Sequence, residues 1–138
     1  MKKQYFGTDG VRGVANAKLT PELAFAIGQA AGRLLKKNGA TPRAAIGRDT
    51  RRSGPMLGAA LAAGFNSAGI DTIVLGVAPT PAIAYVTRFG EFGLGAVISA
   101  SHNPAPDNGI KLISSTGSKV SDEFELELES LLYSEFPD

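Results

Sequence analysis

The sequence predicts an α/β fold in which helices cover both faces of a sheet. The 138-residue chain alternates segments of helical periodicity with short apolar runs, in the order α, β, α, β, α, β, β, α. Hydrophobic residues make up 43% of it, which is enough to form a core. The 17 glycines are concentrated at predicted turns and helix packing positions. We therefore expect a single α/β domain over residues 1–138.

The first helix is predicted at about 20–38. Thr20 can cap it, and Pro21 suits the first turn because an N–H there would have no partner in the helix. Apolar residues then recur at helical spacing: Leu23, Ile27, Ala30, Ala31, Leu34 and Leu35. Two lysines and the Asn38-Gly39 pair end the pattern. The apolar run from Ala44 to Gly47 is the first predicted strand.

A second helix and a second strand are predicted next. Ser53 can cap this helix, and Gly69 stands where a left-handed residue commonly ends one. Its apolar face consists of Leu57, Ala60, Leu61, Gly64, Phe65 and Ala68. The strand follows at about 70–75, in the sequence IDTIVL. The predicted core residues are Leu23, Ile27, Leu57, Leu61 and Phe65.

The rest of the chain is predicted as helix 80–88, strands 95–100 and 110–113, a turn at 115–119, and helix 121–133 with an acidic first turn. Ligands of open α/β sheets bind beyond the carboxyl ends of the strands. We therefore expect the chemistry in the loops that follow Gly47, Leu75 and Ala100.

Composition excludes several classes of function. With 14 basic and 13 acidic side chains, the net charge of +1 gives no global attraction to nucleic acid or to an anionic membrane. The absence of cysteine removes disulfides, thiolate nucleophiles and cysteine-bound zinc. Neither a signal-peptide pattern nor an apolar run long enough to span a membrane is present. We expect a cytoplasmic protein.

The stretch ISASHNPAPDNGIKLI contains the only histidine of the chain, beside Ser101. Hydrolase chemistry fits it poorly, because adjacent side chains on an extended segment point to opposite sides, and no G-x-S-x-G elbow is present. A phosphorylated serine fits better, since it needs cationic and N–H donors around the phosphate. Candidate donors are Arg12, His102, Asn103 and Lys111, and a turn at DNG would allow close backbone approach. An ordinary turn-rich surface loop is the alternative.

Four motifs resemble the α-D-phosphohexomutase family. ISASHNPAPDNGIK is similar to its phosphoserine loop, and YFGTDGVRG is similar to the opening of its phosphoglucosamine mutase branch. GRDTRRSG and PTPA lie between them in the family's order. The resemblance implies the first domain of that fold, a three-layer α/β/α sandwich with a mixed, mainly parallel sheet. It also implies interconversion of glucosamine 6-phosphate and glucosamine 1-phosphate, a step towards bacterial cell-wall precursors.

The resemblance also implies site residues. Ser101 carries the phosphoryl group, which passes to the sugar through a hexose 1,6-bisphosphate, and Arg12 contacts that group or helps proton transfer. Lys111 is a candidate general acid or base, and His102 either serves the site or stabilises the turn. The predicted phosphate-binding residues are Thr8, Gly10 and Asn103, with Asp9 orienting Arg12. Asp49, Arg51 and Ser53 are interpreted as loop architecture, with Asp49 pairing an arginine.

The implied cofactors are Mg²⁺, bound through the phosphate of Ser101, and glucose 1,6-bisphosphate or a similar activator. The family's D-G-D-G-D-R metal loop is absent from the sequence, so the remaining Mg²⁺ ligands are expected in a domain outside the chain. We accordingly expect an isolated N-terminal domain, nearly inactive alone, whose partners are a phosphosugar and the other domains. Surfaces that those domains would cover favour self-association. The alternatives are a phosphomannomutase or phosphoglucomutase domain, and a non-catalytic folded module.

Overall fold

The computed structural model describes residues 2–133, which form one mixed sheet flanked by helices. The strands are β1 Val11–Val14, β2 Arg43–Arg48, β3 Asp71–Val77, β4 Leu94–Ile98 and β5 Asp107–Ser114. The helices are α1 Pro21–Lys37, α2 Gly54–Ser67, α3 Thr80–Phe89 and α4 Asp122–Leu131. The predicted α/β class and the order of the predicted elements are confirmed. Within residues 2–133 no helix has the length and apolar character that a bilayer crossing requires.

The strands lie in the order β1-β5-β4-β2-β3. β2 pairs in parallel with both β3 and β4, whereas β5 is antiparallel to both β4 and β1. Every strand except β5 therefore runs in the same direction. The expected mixed, mainly parallel sheet is confirmed, and it brings the carboxyl ends of β2 and β4 side by side.

Strand β1 was not predicted from the sequence. Its four residues, VRGV, are too few to show an alternating pattern, and one of them is a glycine. The strand forms by pairing with β5, where Val11 lies opposite Ile110 and Arg12 opposite Gly109. This pairing places Arg12 at the same end of the sheet as the loop after β4.

Helices cover the two faces unequally. α1, α2 and α4 pack on one face over the larger core, which contains all five of the predicted core residues. α3 packs on the other face over a smaller core of Ile83, Val97 and Ile113. Side chains of β4 alternate between the faces, with Ala96 in the larger core and Val97 in the smaller. The three-layer α/β/α arrangement is confirmed.

Two predicted helix boundaries are confirmed by their caps, and one predicted cap is wrong. The Thr20 hydroxyl accepts the N–H of Leu23 at 3.1 Å, and Gly69 has a φ of +83° after α2. Ser53 does occupy the N-cap position of α2, but its hydroxyl makes no capping bond. It accepts instead from the side-chain amide of the buried Asn108, at 2.8 Å.

Candidate active site

The candidate site lies where the loops after β2 and β4 meet. We call residues 99–106, which connect β4 to β5, the Ser101 loop. The third loop expected to contribute, after β3, lies beside the end of β2, where the N–H of Ala78 donates to the carbonyl of Arg48 at 3.0 Å, but none of its residues lines the cleft beside Ser101. Two of the three predicted loops therefore form the site, together with the residues from Gly7 to Arg12.

Ser101 stands in a strained backbone conformation on an exposed turn. Its φ of +51° is uncommon for a residue with a side chain, and such strain is often found at functional sites. The predicted strand 95–100 ends two residues early, at Ile98. The loop is tied to β5 at its start, where the N–H of Ser99 donates to the carbonyl of Gly109 at 3.0 Å.

Arg12, Ser101 and Asn103 come together as predicted. The Arg12 guanidinium donates through Nη2 to the Ser101 Oγ at 3.4 Å and through Nη1 to the Asn103 Oδ1 at 3.3 Å. Asp9 lies at the edge of ion-pairing range, 4.0 Å from Nη1, and its side chain is 58% exposed. Asp9 therefore contributes little to holding the guanidinium. A phosphoryl group on Ser101 would lie beside a cation.

The segment from Gly7 to Gly10 is a tight turn that delivers the chain to Arg12. The backbone groups of Gly7 and Gly10 bond to each other in both directions, at 2.9 and 3.3 Å. Gly10 has a φ of +81°, and a Cβ there would overlap the carbonyl oxygen of Ile110, so this position requires glycine. Thr8 is exposed within the turn. Its predicted contact with phosphate stays a prediction.

His102 and Lys111 are near the site in sequence but make no hydrogen bond to Ser101. His102 is exposed, and its imidazole has no hydrogen-bond partner among residues 2–133, so it does not stabilise the turn through a side-chain bond. Lys111 is partly buried on β5, opposite Val97. Its ammonium group has no ion-pair partner in the described part of the chain. The exposed imidazole of His102 is accessible to a ligand, and the catalytic roles of both residues stay predictions.

The DNG segment is not the turn that the sequence predicted. Asp107, Asn108 and Gly109 are the first residues of β5 and pair with β1. Asn108 was not among the predicted site residues; its fully buried side chain accepts the N–H of Gly109 at 2.8 Å and donates to Ser53. Gly109 does allow close approach, since a Cβ would lie 2.6 Å from the Ser99 carbonyl oxygen and 3.0 Å from the Arg12 Cγ.

Arg51 joins the loop after β2 to the Ser101 loop. Its Nε lies 3.3 Å from the Asp49 Oδ2, which confirms that Asp49 pairs with an arginine. Its two terminal nitrogens donate to backbone carbonyls of the Ser101 loop and of Asp107. Sequence reasoning marked Arg51 as architectural but missed these acceptors, because the spacing of about fifty residues carries no signal of the contact.

Charged and polar groups line an open cleft beside Ser101. Asp49, Arg51, Arg52 and Asn103 line it together with the serine. Arg52 is exposed and has no partner among the described residues. Between residues 2 and 133 there is no cluster of three or more His, Asp or Glu side chains suited to a metal ion. Arg12, beside Ser101, and Arg52, in the cleft, are the cations that fit the holding of an anion, and the described residues do not provide a complete Mg²⁺ site.

The family model described as "Phosphoglucomutase/phosphomannomutase, alpha/beta/alpha domain I" matches residues 3–136. Two similar curated proteins are both named phosphoglucosamine mutase. One, from Polaromonas naphthalenivorans, is 52% identical over 136 residues, covering 98% of this chain and 31% of the relative. The other, from Pelotomaculum thermopropionicum, is 58% identical over 130 residues, covering 94% of this chain and 29% of the relative.

Solved structures agree with the sequence matches. The crystal structure of a proposed phosphomannomutase from Thermus thermophilus superposes with a TM-score of 0.85 at 30% sequence identity. That superposition covers 92% of this chain and 29% of the other. The 138-residue chain thus spans about a third of the length of the proteins it matches.

Proposed function

The chain belongs to the phosphoglucomutase/phosphomannomutase family, as its α/β/α domain I, and from that premise we propose that it is the phosphoryl-carrying domain of a phosphoglucosamine mutase. The observation that carries this proposal is the position of Arg12, whose guanidinium donates to the Ser101 Oγ at 3.4 Å. Ser101 is exposed on the loop, so its hydroxyl is accessible to a sugar phosphate. The two phosphoglucosamine mutases at 52% and 58% identity support the sugar assignment.

The proposed reaction starts from phosphorylated Ser101. The C1 hydroxyl of glucosamine 6-phosphate attacks the phosphorus, the bond from phosphorus to the Ser101 Oγ breaks, and a base takes the hydroxyl proton. The resulting 1,6-bisphosphate reorients in the site. The Ser101 Oγ then attacks the other phosphorus, and the C6 oxygen leaves with a proton. The products are glucosamine 1-phosphate and an enzyme that again carries its phosphoryl group.

Each side chain has a role that follows from its position. Arg12 stabilises negative charge on the transferred phosphoryl group, as a charge-assisted donor. Asn103 holds the Arg12 guanidinium by accepting from its Nη1. Lys111 and His102 are the proposed proton-transfer groups, supported by their lack of partners among residues 2–133. Thr8 and Gly10 shape the turn that carries Arg12. The N–H of Gly10 is bonded to the carbonyl of Gly7, so the exposed Thr8 is the residue of this turn proposed to contact the phosphate.

Ser101 is the one residue of this chain that we propose to take part in Mg²⁺ binding. The described residues provide no three-ligand cluster, so a phosphate oxygen on Ser101 would be the contribution of this chain to Mg²⁺ binding. The remaining ligands are proposed to come from domains outside the 138 residues. Glucose 1,6-bisphosphate, or a similar bisphosphate, is the proposed donor that first charges the serine.

Because the chain spans about a third of its relatives, we propose that it turns over substrate poorly by itself. Positioning and electrostatic stabilisation supply most of phosphoryl-transfer catalysis, and these need groups on both sides of the sugar. The other domains of the enzyme are then its partners. The cytoplasm, where sugar phosphates are found, is the proposed location.

The test measures turnover of glucosamine, mannose and glucose phosphates by this chain together with the remaining domains of its own enzyme, because domains taken from a relative would bring the sugar contacts of that relative. We expect turnover to be highest on glucosamine phosphate and to be abolished by Ser101→Ala, while the matched control Ser115→Ala, at an exposed serine in the turn after β5, stays active. Highest turnover on mannose phosphate would favour the phosphomannomutase alternative. Turnover that survives Ser101→Ala in a folded protein would exclude Ser101 as the carrier.

The isolated chain provides a second test. Intact mass and peptide mapping before and after incubation with glucose 1,6-bisphosphate report whether Ser101 accepts a phosphoryl group. Modification at Ser101 would show that the loop is reactive without other domains. Mutase turnover by the chain alone, lost on Ser101→Ala, would contradict both the proposed dependence on other domains and the non-catalytic alternative.

A further inference from the structure

The guanidinium of Arg51 is bonded to the backbone of the Ser101 loop at several points. Nη2 donates to the carbonyls of Ser101 and Asn103, each at 2.9 Å. Nη1 donates to the carbonyl of Pro104 at 2.7 Å and to that of Asp107 at 3.1 Å. One side chain thus binds four carbonyls that belong to a turn and to the first residue of the strand after it.

A second path joins the same residue to the N–H of Ser101. The Asp49 Oδ2 accepts from the Arg51 Nε at 3.3 Å and from the Ser99 hydroxyl at 2.7 Å. The Ser99 oxygen in turn accepts the N–H of Ser101 at 3.1 Å. Arg51 therefore acts on both sides of Ser101, directly on its carbonyl and through Asp49 and Ser99 on its N–H.

These bonds account for the left-handed φ of Ser101. A residue with a side chain is held in that region only where its surroundings determine it, and here both neighbouring backbone groups are bonded. With its carbonyl directed towards Arg51, Ser101 presents its Oγ to Arg12 at 3.4 Å. The conformation that exposes the hydroxyl is thus maintained from the opposite side of the loop.

Arg51 is committed to the protein and not available to a ligand. Its side chain is only 12% exposed, and all three guanidinium nitrogens are bonded within the chain. Lysine could not replace it, because an ammonium group has three donors around one atom, whereas the planar guanidinium directs five N–H groups along fixed directions.

We propose that Arg51 is the positioning residue of the phosphoryl carrier: together with Asp49 it holds Ser101 in the left-handed conformation that presents its hydroxyl to Arg12. Its importance for catalysis rests on the proposed function of Ser101. The effect of Arg51 on the conformation of Ser101 can be tested without any phosphoryl transfer. A negative result for this effect therefore leaves the proposed function of Ser101 open to its own test, and the reverse also holds.

The test compares Arg51→Lys with Arg52→Lys, its exposed neighbour without a partner among residues 2–133. The amide signals of Ser101, His102 and Asn103 are followed by ¹H–¹⁵N NMR, with those of α1 as the reference for the intact fold. We expect Arg51→Lys to move the loop signals and to speed exchange of the Ser101 amide at least about tenfold, since its bond to Ser99 loses support. Arg52→Lys should leave them unchanged. Unchanged loop signals in folded Arg51→Lys would overturn the proposal.

Chemical rescue distinguishes the guanidinium fork from a general loss of stability. Methylguanidinium added to Arg51→Ala is expected to return the Ser101 amide signal towards its wild-type position, whereas methylammonium at the same concentration is not. Equal effects of the two cations, or none, would overturn the proposal. If Arg51→Ala does not fold, the lysine variant alone decides. Failure of wild-type Ser101 to accept a phosphoryl group in the assembled enzyme would count against the proposed function and leave these signals unaffected.

Discussion

The Arg12 guanidinium and the Ser101 hydroxyl meet at the carboxyl end of the sheet, although 89 residues separate them in sequence. Strand pairing produces this contact, since β1 places Arg12 opposite Gly109 while β4 delivers the chain into the Ser101 loop. At 3.4 Å the bond is long for an uncharged acceptor. A phosphoryl group on Ser101 would supply charged oxygens nearer to the guanidinium.

Removal of this cation should therefore change the acidity of a phosphoserine at position 101. In a chain that carries phosphoserine there, Arg12→Gln should raise the second pKa of the phosphoryl group by roughly half a unit or more, because the nearby guanidinium favours the dianion. A ³¹P NMR titration measures this pKa. Arg52→Gln, which removes a cation from the same cleft, should change it less. Equal shifts in the two variants would mean that Arg12 does not contact the phosphoryl group.

Glu129 secures the start of the chain against α4. Its carboxylate accepts the N–H groups of Gln4, Tyr5 and Phe6 at 2.6 to 2.8 Å. Partial burial raises the pKa of Glu129, but the backbone N–H groups of Gln4, Phe6 and Tyr5 outweigh it, so the pKa lies below its ordinary value of 4.5. A lowered carboxyl pKa stabilises the fold above the unfolded value, and this stabilisation is lost as pH falls through the folded value.

Glu129→Gln should consequently be less stable than the wild type at neutral pH, by about 1 kcal/mol after allowance for solvent screening. The difference should shrink as the pH falls from 4.5 through the lower pKa of the folded protein, because Glu129 is protonated first in the unfolded chain and then in the folded protein. Urea unfolding between neutral and acidic pH measures it. Glu127→Gln is the control, since within residues 2–133 the side chain of that exposed glutamate pairs with Lys37 alone. A difference that stays constant with pH would contradict the role of the ionised carboxylate.

The helix boundaries that depend on neighbouring residues were predicted correctly from the sequence. Thr20 caps α1 through its own hydroxyl, and Gly69 takes the left-handed conformation that ends α2, so both boundaries are readable within a few residues. Ser53 has the same local signal, yet its hydroxyl bonds to Asn108, a buried residue 55 positions later. Ser53 does not cap the helix through its hydroxyl because the buried side-chain amide of Asn108 needs a hydrogen-bond partner.

The site could be predicted only in part for the same reason. Ser101, Asn103 and Arg12 were identified by their motifs, and the structure brings them together. Strand β1, which places Arg12, has no periodic pattern and forms through long-range pairing. The four carbonyls that Arg51 binds could not be predicted from the sequence. Every residue has a carbonyl, and the tertiary fold determines which of them lie close to the guanidinium.

Glycines at the contact between α1 and α2 should be sensitive to an added methyl group. A Cβ at Gly28 would overlap the carbonyl oxygen of Leu61, and a Cβ at Gly64 would overlap that of Phe25. Because both obstacles are backbone atoms in helices, the helices themselves would have to separate. We expect Gly28→Ala to lower the free energy of unfolding by about 1 to 3 kcal/mol, beyond what the better helix propensity of alanine restores.

Gly58 provides the matched control within α2. A Cβ there would meet only the Ile98 Cδ1, at 3.3 Å, and a methyl group at the end of a side chain can shift slightly. Gly58→Ala should therefore be neutral or more stable, by up to about 1 kcal/mol, because alanine loses less backbone entropy than glycine in a helix. Urea midpoints from circular dichroism compare the two variants. Coincident midpoints would mean that α1 and α2 can separate at little cost, contrary to the close backbone contact that joins them.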